Sequence, residues 1–148
     1  MLSVVTEEKE FHGSLELMKN IVRRTGVPVL RKDFIETEED LDETKEAGAA
    51  AVLLMVSCLG EERLEYLYGK AIEKGLEPLV ETHTKEELIF AGKLHAGLTG
   101  INNRDILRLE KDDGDVGRTA GLMKYAPKDA FVISESSVRD AADVRLAV

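Results

Sequence analysis

Six short apolar runs punctuate the chain: LSVVTE (2–7), VPVLRKDF (27–34), AAVLLMV (50–56), EPLVETH (77–83), LTGINNRD (98–105) and AFVISES (130–136). AAVLLMV lacks polar alternation, the pattern of a strand covered on both faces. Amphipathic patterns separate the runs. In SLELMKNIVRRTG, Leu15, Met18 and Val22 share a face and Gly26 is the stop. Thr37 precedes Glu38, Glu39 and Asp40, a negative first turn that suits a helix dipole. RLEYLYGKAIEKG places Leu64, Leu67, Tyr68 and Ala71 together and ends at Gly75. Thr84 and Glu87 have the spacing of a T-x-x-E capping box. DVGRTAGLMKYAP is a weaker helix broken by glycines, and SVRDAADVRLAV starts another.

Strand and helix therefore alternate, which implies parallel strands with right-handed crossovers. Glu7, Lys32, Val56 and Glu81 hold equivalent strand-end places, recurring every 24 or 25 residues. That period fits an α/β chain of the (β/α)8 TIM-barrel type. A doubly wound dinucleotide fold is disfavoured because GxGxxG is absent. About six of eight strands are legible, and the 148 residues compare with roughly 250 for a usual barrel. Met1 abuts the first strand and Val148 falls within a helical pattern. Residues 1–148 are thus expected to form one partial (β/α)-barrel domain, cut at both ends.

Composition narrows the classes. Hydrophobic residues make up 43% and charged residues 33%, as in a globular chain. A net charge of −9 without a basic run argues against nucleic acid as a partner. No apolar run approaches the ~20 residues of a membrane span, and no signal segment is evident, so a cytoplasmic location is expected. The single cysteine, Cys58, lies in AVLLMVSCL and reads as a small buried hydrophobe. No Cys/His cluster has metal-ligand spacing.

Barrel chemistry sits at the C-terminal strand ends. Those ends carry Glu7; Lys32 and Asp33; Glu81 and His83; Asn102 and Arg104; Glu135 and Ser136. Each has a plain structural reading too. Glu7 and Asp33 suit loop carboxylates, and Lys32 between Arg31 and Asp33 suits a salt bridge. His83 suits a loop start, and His12 and His95 suit a surface. Glu81 is harder to dismiss, because a carboxylate ending a continuous apolar run must be compensated. A lysine opposite it could do acid–base work.

The motifs RKDF, LVETH, GINNRD and ISES, in this order and spacing, resemble the indole-3-glycerol phosphate synthase family of tryptophan biosynthesis. SVVTE followed by FHGS is similar to that family's second βα unit. The resemblance covers Leu2 to Val148, corresponding to strands two through seven of the family barrel. It implies a lyase that closes the ring of 1-(2-carboxyphenylamino)-1-deoxyribulose 5-phosphate with loss of CO₂ and water, using neither metal nor organic cofactor. It implies Lys32 as general acid and Glu81 as acid/base partner. Asn102 would bind the substrate near the reacting amine, and Arg104 the aromatic carboxylate. Glu135 would bind the sugar hydroxyls, and Ser136 would edge the phosphate site. Phe34 and apolar residues near Met55 would pack on the anthranilate ring. Asn103 and Asp105 would hold the turn.

Two parts of the family pattern have no match: a first strand with K-x-x-S-P-S, and a glycine-rich eighth strand. The family's usual S-E-S-G is Ser134-Glu135-Ser136-Ser137 here, and serine resists backbone conformations that glycine allows. The 148 residues alone are accordingly expected to show no measurable synthase activity. The open edges at SVVTE and FVISES are expected association sites. Two other readings are a non-catalytic partial-barrel module and another phosphate-binding barrel such as phosphoribosylanthranilate isomerase. GINNRD together with RKDF argues against the latter.

Overall fold

The computed structural model describes residues 1–104 and 114–147. Asp105, read from sequence as a turn residue, lies outside them. The six strands are β1 (Leu2–Val5), β2 (Val29–Lys32), β3 (Ala51–Met55), β4 (Glu77–Thr82), β5 (Leu98–Asn102) and β6 (Phe131–Glu135). The helices are α1 (Leu15–Arg24), α2 (Glu38–Glu46), α3 (Val56–Leu59), α4 (Glu61–Glu73), α5 (Lys85–Lys93), α6 (Gly117–Leu122) and α7 (Ala141–Ala147). A 3₁₀ turn, Met123–Tyr125, follows α6. The sheet order is β1-β2-β3-β4-β5-β6, and β1/β2, β2/β3 and β5/β6 pair in parallel. Strands neighbouring in chain order, with helices between them, are the (β/α)-barrel arrangement rather than the doubly wound one. The chain divides into two compact units, Met1–Leu79 and Val80–Val148, with the division inside β4.

In the first unit, Ser14 caps α1 by accepting from the Leu17 amide. Met18 is fully buried with Val4, Val29, Ala47 and Ala49, while Leu15, Ile21 and Val22 pack around that cluster. Burying one such side chain contributes about 1.5–3 kcal/mol. All of Ala51–Met55 is buried, as the unbroken apolar run predicts. In α4, Leu64, Leu67 and Ala71 are buried and Tyr68 is partly so. Gly75 adopts φ +69°, and its amide donates to the Ile72 carbonyl at 2.9 Å, closing that helix.

Three local expectations are corrected. The chain leaves β3 at Met55 and turns into α3, which leaves Cys58 exposed rather than buried. Helix α1 stops at Thr25, whose extended backbone makes Gly26 unnecessary as a left-handed cap. Thr84 accepts from the Glu87 amide, but the Glu87 carboxylate takes the His83 amide, one residue before the cap. The reciprocal box forms instead on α2. There the Thr37 hydroxyl accepts from the Asp40 amide, and Asp40 accepts from the Thr37 amide.

In the second unit, Asn103 does more than hold a turn. Its Nδ2 donates to Ser134 Oγ and to the carbonyls of Glu135 and Ser136, at 2.9, 2.9 and 3.2 Å. Its Oδ1 accepts from the amide and hydroxyl of Thr119 on α6. One buried amide thus ties the end of β5 to β6 and α6. The unit also exposes Phe131, Val138, Val144 and Leu146. Among the described residues no helix is long and apolar enough to cross a membrane.

The Asp40 box makes a prediction. Burial pushes the Asp40 carboxyl up, but the Glu36 amide and the Thr37 hydroxyl and amide outweigh it and hold it below the ordinary 3.8. Asp40→Ala should cost about 1 kcal/mol by urea unfolding at pH 7, as lost caps do. A depressed carboxyl stabilises the fold above its unfolded value and loses that effect as pH falls through its folded value. The gap between wild type and variant should therefore be full at neutral pH and close below pH 3.8.

Candidate active site at the strand ends

The site residues follow from the pleat. Neighbours on a strand point to opposite faces, and residues two apart share one. In Arg31-Lys32-Asp33 this separates the charges. Arg31 points to the helix-covered face, where its guanidinium meets Thr6 Oγ1 (3.0 Å), the Asp40 carbonyl (3.3 Å) and Thr44 Oγ1 (3.2 Å). Asp33 lies on the same side, 3.0 Å from Nη2, and Glu43 is 2.9 Å from Nη1. The ion pair with Asp33 is made by Arg31. Asp33 is its structural partner and also accepts from Thr6 Oγ1 at 2.5 Å. Lys32, half-buried, sits at the end of β2 on the opposite face. The register that pairs Arg31 with Val52 puts Leu53 and Met55 on that same face.

Phe34 follows two residues later. Its ring meets Phe11, with centroids 6.3 Å apart and planes tilted by 45°, within the favourable range for aromatic pairs. Phe11 escaped the sequence reading, where it served only as the first letter of FHGS. Glu7 does not face this ring pair as a reacting group. Its carboxylate accepts the amides of Lys9, Glu10 and Phe11 at 2.8–2.9 Å. The reading as a loop carboxylate holds.

The second unit gathers the remaining candidates. Glu81 is fully buried at the end of β4 and accepts from Asn102 Nδ2 at 3.0 Å. Asn102 Oδ1 accepts the Arg104 amide at 2.9 Å, so this buried amide serves both the carboxylate and the following turn. Glu135 is the register partner of Asn102 on β6 and so stands on the same face. Arg104 is half-buried just beyond the strand. His83, two residues after Glu81, places Nε2 3.4 Å from Glu81 and Nδ1 3.7 Å from Glu87, with a side chain only 9% exposed. It is part of the site's surroundings rather than only a loop start. Its signal was the period-two step from Glu81. His12 and His95 are exposed, as expected.

Ser136 and Ser137 both adopt the left-handed region, at φ +65° and +61°. Ser137 thus holds the conformation that the family's glycine would take without strain. Gly114, at φ +61°, lies so close that a Cβ there would strike Ser137 Oγ and reach 2.8 Å from Arg104 Cγ. Among the described residues no group of three or more His, Cys, Asp or Glu could hold a metal ion.

Parallel βα units with polar groups at the carboxyl ends of the strands are the arrangement of a (β/α)-barrel. The family model for indole-3-glycerol phosphate synthase matches residues 1–148. Indole-3-glycerol phosphate synthase of Thermococcus kodakarensis is 44% identical over 147 residues, covering 99% of this chain and 64% of that relative. The Pyrococcus furiosus protein of the same name is 43% identical over 148 residues, again 64% of its length. The Staphylococcus aureus (strain Newman) one is 41% identical over 144 residues, 97% of this chain and 54% of its own. The chain belongs to the indole-3-glycerol phosphate synthase family, and it spans between 54% and 64% of the length of these curated relatives.

The left-handed serine gives the test for this site. Ser137→Gly should raise stability by about 1 kcal/mol, the approximate cost of a left-handed non-glycine residue. Urea unfolding checks it; an unchanged or lower midpoint would contradict strain at this position.

Proposed function

We propose that the protein to which this chain belongs closes the indole ring of indole-3-glycerol phosphate, acting as a carboxy-lyase on 1-(2-carboxyphenylamino)-1-deoxyribulose 5-phosphate. The observation that carries the reading is the buried Glu81–Asn102 pair at adjoining strand ends, in a chain of this family. A buried carboxylate held by an amide donor at a strand end is positioned to exchange a proton with a bound molecule.

In this reading Lys32 donates a proton to the substrate's ketone or hydroxyl oxygen during ring closure. Glu81 accepts and returns a proton in the dehydration. Asn102 orients the reacting amine and hydroxyl beside it. Arg104 offers a planar fork to the aromatic carboxylate, which it can bind through both oxygens. Phe34, with Phe11 against it, supplies an apolar wall for the anthranilate ring. Such a wall excludes water, which would otherwise weaken each charge interaction. Glu135 takes the sugar hydroxyls, and Ser136 stands at the phosphate edge. The outermost strands, β1 and β6, are where another segment would pair. A cytoplasmic location suits a biosynthetic enzyme of this kind.

A chimera tests the reading. This chain replaces the matching segment of the Thermococcus kodakarensis relative, and indole-glycerol phosphate formation is followed by fluorescence. The chimera should turn over, and Lys32→Ala should lower kcat by about 10²-fold or more, the scale of a lost acid–base group. A folded chimera without turnover, or a near-parental rate for Lys32→Ala, would contradict the assignment.

A further inference from the structure

We propose that Glu7 is a positioning residue: its carboxylate fixes the loop after β1 so that Phe11 stands against Phe34. The functional half of this inference rests on the reading of Phe34 as a ring-facing residue.

The segment TEEKEFHGS carries three glutamates, Glu7, Glu8 and Glu10, and Glu7 turns inward on its own loop. Glu7 Oε1 accepts from the Lys9 amide at 2.9 Å; Oε2 accepts from the Glu10 and Phe11 amides at 2.8 and 2.9 Å. Three successive amides converging on one carboxylate form a closed anion cradle, and the last of them belongs to Phe11. The far end of the loop is pinned as well. The Gly13 amide donates to the Glu7 carbonyl at 2.6 Å, and the Ser14 amide to the Val5 carbonyl at 3.3 Å. Gly13 has no substitute there, because a Cβ would lie 2.5 Å from the Val5 oxygen. His12, at φ +53°, makes the reversal between Phe11 and Gly13. Phe11 is thus set from both sides, and its ring projects onto Phe34. The three amides, Phe11's foremost, hold the Glu7 carboxyl below its ordinary value, against a smaller burial effect.

The loop is largely exposed, so removing the carboxylate hands three amides to water. Its loss should disorder the loop without unfolding the domain.

The test uses the full 148-residue chain and its Glu7→Ala and Glu7→Gln variants. NMR reads ring–ring NOEs between Phe11 and Phe34 and the exchange rate of the Phe11 amide. N-methylanthranilate is titrated as the aryl probe on the same samples, and urea unfolding reads global stability. Glu7→Ala should lose the NOEs and the amide protection. It should bind the probe roughly 3- to 10-fold more weakly, the range an aromatic contact is worth, with its urea midpoint unmoved. Glu7→Gln keeps one acceptor oxygen and should fall between.

NOEs that persist in Glu7→Ala would overturn the proposal. So would unchanged probe affinity after the NOEs are lost, or a midpoint that falls in step with binding, which would make Glu7 merely structural. If wild type does not bind the probe while the NOEs still depend on Glu7, the ring-site reading fails and the seating of Phe11 by Glu7 stands.

Discussion

Apart from the apolar β3, the strands of this chain end in or run into consecutive polar residues, and the pleat sends them alternately to two faces. One face is covered by helices, where an unpaired charge or amide is costly, so the charged and amide groups there need partners. Arg31 does so with Thr6, Asp33, Glu43, Thr44 and the Asp40 carbonyl. Asn103 does so with Thr119, Ser134 and the carbonyls of Glu135 and Ser136. The other face receives the intervening residues, Lys32 in the first unit and Glu81, Asn102 and Glu135 in the second. The holding residues and the candidate reacting residues are therefore sequence neighbours that do different jobs.

This division explains why such polar stretches are tolerated at the ends of apolar strands. Asn102 and Asn103 are chemically identical and both fully buried. One braces a carboxylate, and the other ties β5 to β6 and α6. The strain at Ser136 and Ser137 belongs to the same region, where the backbone turns left-handed immediately after β6. Strain held at a strand end beside candidate binding groups is a recurring feature of functional sites.

Much of the fold was legible because long-period signals survive local error. The βα alternation, the spacing of 24 or 25 residues and the apolar strand β3 all depend on many positions at once. Local chemistry was less legible. Cys58 reads as buried within AVLLMVSCL, but the chain turns into α3 at Val56 and exposes it. Thr84 and Glu87 have capping-box spacing, yet Glu87 reaches past the cap to the His83 amide. The candidate residues were visible as strand ends and motifs, whereas their partners were not. That Arg31 is the residue paired with Asp33 follows from alternation on β2 and from α2 lying over it. Phe11 gave no periodic signal, since it sits in a loop whose shape is set by Glu7.

The central claim is that the face a strand-end residue occupies decides which side chain it must carry. The most direct measurement is urea unfolding of the chain in which Arg31 and Lys32 exchange places, Arg31→Lys with Lys32→Arg. Composition and net charge are unchanged; only the face occupied by each cation differs. A lysine cannot reproduce the guanidinium's several directed bonds on the helix side. The account predicts a loss on the order of 2 kcal/mol, the scale of hydrogen bonds to charged groups. A stability equal to that of the parent chain would contradict it.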